Sequence, residues 1–392
     1  MSRIQHPISD AELQRRWTAV RAAMRDQGIE ALVLQNDNDW LGGAVKYFTD
    51  MPALNGYPRS VIFHADELMT VIDNGGWGVV RKLDGTDPVH RGVGEILCTP
   101  AFLSIGYTTP YEGELAASVL KRHGYRKVGM VGEGAMRQGF VQALRAGAGD
   151  VFVDATEMVD AIKAIKSEEE IGLIRAAAAL QDRLYARVLE NIRPGMRDID
   201  IIAQVEQEGT RLGSEQGIYL GASAPLGQRS SFVGRHLQGR TIEVGDNFSL
   251  LIEINGPGGF YNEIARTMVF GRASNELREG FAAVSEAQIH TLSQMRPGAD
   301  PAEIAANHDD FMQARGLPAE LRLYAHGQGY DMVERPLIRS DETMKLAKDM
   351  CFAVHPGFEN ERVFSVICDN YLITSDGVSE CLHKTAKQIF EL

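Results

Sequence analysis

The sequence predicts a two-domain protein of the α/β (α+β) class, with a small mixed α/β domain over residues 1–160 and a larger domain over residues 161–392. Three observations carry this. Strand-like and helix-like periodicities alternate through the first 160 residues. A new capped helix opens at Ser167, with Glu170 three residues on as the partner of a capping box. Residues 193–213, RPGMRDIDIIAQVEQEGTRLG, recur as residues 296–316, RPGADPAEIAANHDDFMQARG, pairing Pro194 with Pro297, Ile201 with Ile304 and Gly213 with Gly316. The same offset pairs Asp246 with Asp349. Each half of the second domain therefore reads as a loop, a helix closed by glycine, and a later β-run opening with an aspartate. Two such halves imply a pseudo-twofold, with a site expected between them.

In chain order, Ser9 and Glu12 form a capping-box pattern, and Leu13, Trp17, Val20 and Met24 recur on one helical face until Gly28. Strand candidates follow at 31–34, 61–63, 69–72, 128–131 and 151–153, with a helix at 114–122. Gly75, Gly76 and Gly78 do not sit as GxGxxG between a strand and a helix, so they read as loop glycines rather than a dinucleotide site.

Composition excludes several functions. A net charge of -13 over 392 residues is the wrong sign for phosphate-backbone recognition, so no nucleic-acid partner is expected and a small-molecule substrate is. Cys98, Cys351, Cys368 and Cys381 show no CxxC and no disulfide-dense spacing, which suits a reducing cytoplasm. The start MSRIQHPISD lacks an apolar signal segment and no apolar run reaches membrane-spanning length, so no membrane association is expected.

Chemistry concentrates in residues 245–271, GDNFSLLIEINGPGGFYNEIARTMVFG. Apolar residues alternate up to Ile254, turn residues occupy 255–259, and a second β-run begins at Phe260, which predicts a hairpin. A turn centred on Pro257 places Leu251 opposite Glu263 and Glu253 opposite Tyr261, with all four side chains on one face. Two carboxylates on one face serve acid–base work, or form the solvent-facing stripe of an edge hairpin.

Taken with IKAIKSEEEIGLIRAA at the junction, HGQGYDMVERP, MCFAVHPGF and ICDNYLITSDG, this hairpin resembles the creatinase, aminopeptidase P and prolidase family over nearly the whole length. The resemblance implies a C-terminal pita-bread domain, a curved antiparallel sheet wrapped by helices with the site on its concave face, in a homodimer. It also implies a two-ion centre in the family's peptidases, held by two aspartates, a histidine and two glutamates. Matched motif to motif, those positions hold Leu251 (or Ile252), Glu263, His326, His355 and Cys368, and the peptidases' second active-site histidine falls on Val333. Such a set cannot build a dinuclear centre, because two hard cations need more anionic oxygen than it offers.

Three readings follow. The first is a creatinase-like hydrolase that cleaves a C–N bond of a small nitrogenous metabolite without metal. Here His326, Glu263, His355 and Glu253 are catalytic candidates, and His236, Tyr261, Glu334, Arg335 and Cys368 are substrate-binding candidates. His236 enters as the only histidine of residues 221–240, the loop that holds the creatinase base in the family. The second reading is a hydrolase, lyase or peptidase of the same fold with one zinc or iron ion on His326, His355, Cys368 and Glu263. The third is a binding protein that kept the scaffold and lost catalysis, against which stand the polar residues at 355 and 263.

Overall fold

The computed structural model describes residues 6–100, 110–377 and 379–392. The chain falls into two compact units, Met1–Lys163 and Ala164–Leu392.

In the first unit, α1 (Asp10–Gln27) starts where the Ser9 hydroxyl accepts the Glu12 N–H at 3.1 Å and stops at Gly28, whose φ of 65° suits a residue without Cβ. Its buried face is the one the periodicity marks: Leu13, Trp17, Val20 and Met24. The elements that follow are β1 (Ala31–Asn36), α2 (Gly43–Thr49), β2 (Arg59–His64), β3 (Met69–Asn74), β4 (Val80–Lys82), β5 (Val93–Thr99), α3 (Tyr111–His123), β6 (Val128–Val131), α4 (Gln138–Ala148), β7 (Phe152–Asp154) and α5 (Thr156–Ala164). The strands make one mixed sheet in the order β4-β5-β3-β2-β1-β6-β7. Two strands, β4 and β5, and three helices, α2, α4 and α5, lie outside the sequence expectations. The strand β4 is short and fully exposed, and α2 holds only seven residues, too few for a period to show.

The second unit opens with α6 (Glu168–Asn191), where both bonds of the capping box form: Glu170 N–H to Ser167 Oγ at 3.2 Å and Ser167 N–H to Glu170 Oε2 at 2.7 Å. It continues with α7 (Asp198–Arg211), β8 (Gly217–Pro225), β9 (Asp246–Asn255), β10 (Tyr261–Val269), α8 (Asn275–Leu292), α9 (Pro301–Gln313), β11 (Ala325–Gly327), β12 (Glu334–Leu337), β13 (Cys351–Val354), β14 (Gly357–Glu359), β15 (Phe364–Val366), β16 (Asp369–Ile373), β17 (Ser379–Cys381) and β18 (Phe390–Glu391). One sheet runs β18-β10-β9-β8 and another β12-β11-β13-β16-β17. They meet where Ala265 of β10 and Cys368 exchange N–H···O bonds of 3.3 and 3.4 Å.

The repeat is physical. In the first half the Gly195 N–H reaches Ile242 O at 2.8 Å, and in the second the Gly298 N–H reaches Leu346 O at 2.7 Å, both glycines having positive φ. The glycines closing the two repeated helices, Gly213 and Gly316, also have positive φ.

Strand alternation sorts core from site. Phe248, Leu250, Ile252, Ile254, Ile264 and Met268 pack under α6 and α7, and Phe352, Val354, Tyr371 and Ile373 share a second cluster with Met295 and Ile304 of the α8–α9 half. The intervening residues, Leu251, Glu253, Glu263 and Ala265 on one sheet and His326 and Asn370 on the other, project to the opposite face. The chain is thus the mixed α/β fold with a pseudo-twofold second domain that the sequence predicts.

Two details are corrected. The hairpin register places Glu253 opposite Glu263 and Leu251 opposite Ala265, two residues from the expected pairing. The turn centres on Gly258 instead of Pro257, because Gly258 and Gly259 both adopt positive φ and lengthen the β10 side of the loop. The face assignment survives, since a shift of two keeps parity. The expected loop over 221–240 begins only after Pro225, its first five residues being the end of β8.

Candidate active site

Five side chains converge where the two sheets meet. Glu253 and Glu263 face each other across the β9–β10 hairpin. His326 on β11 and His355 just after β13 approach from the second sheet, their ring centroids 5.2 Å apart. His355 Nε2 lies 3.4 Å from Glu263 Oε1. Cys368 donates its thiol hydrogen to the same oxygen at 2.8 Å. Glu253, Glu263, His326 and Cys368 are all buried, whereas the His355 side chain keeps 18 % of its surface, so the site opens at that ring.

Their environments push the two glutamates apart in proton affinity. Burial, then the charge of Glu263 and a hydrogen bond to it, push the Glu253 carboxyl well above its ordinary value. Burial also works to raise Glu263, but the two imidazoles, the Cys368 thiol and the Glu253 carboxyl outweigh it and hold Glu263 down. Glu253 is therefore the acid of the pair and Glu263 the carboxylate. Burial pushes His355 down to about 4, against the pull of Glu263, so its ring is neutral at pH 7. His326 Nδ1 lies 2.9 Å from Gly327 O, and a carbonyl only accepts, so Nδ1 carries hydrogen.

Two buried amides that sequence reasoning missed hold this arrangement. The Glu263 N–H donates to Asn370 Oδ1 at 2.7 Å, Asn370 Nδ2 donates to Gln328 Oε1 at 2.7 Å, and Gln328 Nε2 donates to Glu253 Oε1 at 3.1 Å. A backbone N–H can only donate, so the whole chain runs in one direction. Oε1 of Glu253 must accept, which leaves its other oxygen to carry the proton shared with Glu263. The available signal was an amide residue in each of the two motifs HGQG and CDNYLI.

The other candidates have these partners. Tyr261 is fully buried on the hairpin, its N–H bonded to Gly329 O at 2.7 Å. Glu334 pairs with buried Lys166 at 2.7 Å, and Arg335 Nε bonds Glu342 at 3.2 Å, so both are engaged in internal ion pairs. His236 is an exposed residue of a short 3-10 turn, Arg235–Leu237, with no hydrogen bond to the site among the described residues. Val333 is 37 % exposed.

The donor set decides which metal centre fits. Leu251, Ala265 and Cys368 form an apolar cluster with Phe364 and Val366, so that side of Glu263 offers no oxygen ligands to a second ion. Glu263, His326 and His355 do form a set, each offering an atom within 4.8 Å of the others. A carboxylate with two imidazoles, one of them oriented by a backbone carbonyl, suits one divalent ion. Cys368 of the expected four-ligand set is not among the atoms that lie within 4.8 Å of one another, and its thiol is directed at Glu263 Oε1.

The pattern of metallopeptidase family M24 matches residues 172–375, over half of the chain. The chain belongs to that family. It is 27% identical over 239 residues to the probable dipeptidase PepE of Mycobacterium tuberculosis, a match covering 59% of this chain and 62% of that protein. It is 27% identical over 408 residues to the uncharacterized hydrolase/peptidase y4tL of Sinorhizobium fredii, covering 97% and 96% of the two chains. The X-Pro aminopeptidase structure from Thermotoga maritima superposes with a TM-score of 0.77 over 96% of this chain and 99% of that one, at 18% identity, which speaks for the fold alone. Among the described residues no helix is long and apolar enough to cross a membrane.

Proposed function

We propose that this M24 member is a hydrolase of a C–N bond in a small nitrogenous substrate, working by proton transfer among Glu253, Glu263 and the two histidines without a two-ion centre. The observation that carries it is the buried Glu253–Glu263 pair, with His355 Nε2 3.4 Å from Glu263 Oε1 and an apolar cluster at its flank. A named relative, the probable dipeptidase PepE, supports hydrolysis of a C–N bond. The missing carboxylates favour a non-peptide one, because a two-ion site activates water for the peptide reaction.

The residues divide the work. A neutral imidazole, His326 through Nε2 or His355 at the open end, takes a proton from water. Glu263, ionised beside both rings, stabilises the imidazolium that results. Glu253, whose carboxyl burial and Glu263 push toward the protonated form, supplies its proton to the departing nitrogen. General acid or base help of this kind is worth roughly a hundred- to ten-thousandfold in rate.

A second reading is favoured by the Glu263–His326–His355 set, which would hold one zinc or iron ion. When bound, such an ion would supply Lewis acidity and an acidified water. Purified protein assayed on creatine and on Xaa-Pro dipeptides, with and without chelator, decides between them. Chelator-insensitive turnover of the amidine is the expected result. Chelator-sensitive turnover with one ion per chain establishes the second reading, and robust Xaa-Pro cleavage with two retained ions overturns both.

A further inference from the structure

A cavity of about 920 Å³ opens in the first unit, lined wholly by residues of that unit. That is the size of small-ligand sites. Its floor is a polar row across neighbouring strands. Lys82 on β4 and Thr70 on β3 both stand opposite Glu95 on β5, and His64 ends β2, the next strand. His64, Thr70 and Glu95 are all buried.

The hydrogen bonds of this row have a fixed direction. Glu95 accepts from Lys82 and Arg122, which hold it ionised. The Thr70 hydroxyl donates to Glu95 Oε1 at 3.3 Å, so it must accept from His64 Nε2 at 3.1 Å. His64 Nδ1 then accepts from the Tyr125 hydroxyl at 2.7 Å, and His123 stacks on the His64 ring at a centroid distance of 4.8 Å. Apolar side chains would form a sheet floor at lower cost than this desolvated network. Its retention beside a cavity points to a ligand.

The walls say which ligand. Arg21 and Arg25 stand one turn apart on α1. Arg21 is aimed by its bonds to the backbone carbonyls of His64 and Glu67, at 3.2 and 2.7 Å. Asp66 and Glu67 occupy the turn between β2 and β3. A simple anion would face Asp66, Glu67 and Glu95, and a simple cation would face Arg21, Arg25, Lys82 and Arg122. A small molecule carrying both charges satisfies both sets.

We propose that the N-terminal unit holds a second small-molecule site, for a zwitterion whose carboxylate meets Arg21 and Arg25 and whose cationic nitrogen meets Asp66 and Glu67. It uses none of the residues of the glutamate–histidine site.

Isothermal titration of the full chain tests it, with γ-aminobutyrate, L-proline and creatine as probes and butyrate and butylammonium as single-charge controls. At least one zwitterion is expected to bind one per chain, at least tenfold more tightly than either control. The exposed substitutions Arg25→Glu and Glu67→Gln should leave the melting temperature in place and weaken binding roughly tenfold or more, the scale of a lost charge-assisted bond. Glu263→Gln should leave this binding unchanged. The proposal falls if no zwitterion binds, if butyrate binds as tightly, or if Glu263→Gln abolishes binding while Arg25→Glu does not.

Discussion

Gln328 Nε2 donates to Glu253 Oε1 at 3.1 Å, and that bond selects which oxygen of Glu253 is left to carry the proton it shares with Glu263. The consequence is that a neutral Glu253 and a glutamine have the same hydrogen-bonding pattern here, an accepting oxygen toward Gln328 and a donor toward Glu263.

Glu253→Gln should therefore fold, and it should gain stability as pH rises. Glu253 is raised in the folded state above its ordinary 4.5, so below that value it is neutral in both states and has no effect. As pH climbs past about 4.5 the unfolded chain ionises and the folded one does not, and stability is progressively lost until the folded value is reached. The melting temperature of the variant relative to wild type should thus increase as pH rises above about 4.5. Turnover should fall by roughly a hundredfold or more, because the amide donates no proton to a leaving group. A melting difference that is flat with pH would place Glu253 in its charged form.

His326→Ala and Glu263→Ala should each lower turnover on the true substrate by roughly a hundredfold or more without unfolding the chain. If both variants lost thermal stability while ligand binding persisted, the cluster would be structural and the binding-protein reading would move ahead.

Metal content should be at most one ion per chain. Leu251, Ala265 and Cys368 close the side of Glu263 that a second ion would need. Elemental analysis after dialysis checks this. Any single retained zinc or iron should disappear in His355→Ala, which removes one of the three donors.

Gln328→Ala should destabilise by about 1–3 kcal/mol, since it leaves the Asn370 amide and the Glu253 oxygen buried without the partner each has now. Denaturant titration measures it. A change under about 0.5 kcal/mol would mean that water or repacking replaces the amide.

The sequence determined which face each hairpin residue takes, because strand parity is local and survived a two-residue error in register. It determined the repeat and its glycine stops, since helix length and positive φ are properties of short segments. Matched to the family's motifs, the residue types at 251, 355 and 368 raised the expectation that no two-ion centre forms. Only the tertiary structure decided that Glu253 stands against Glu263, that Gln328 and Asn370 orient them, and that Cys368 is a thiol donor within an apolar cluster. Glu334 and Arg335 read as pocket residues, while folding commits them to Lys166 and Glu342. The site brings β9 and β10 to β11, β13 and β16 across about a hundred residues of chain, and the proton it holds depends on burial and on neighbours. Both are set by packing, which no local pattern encodes.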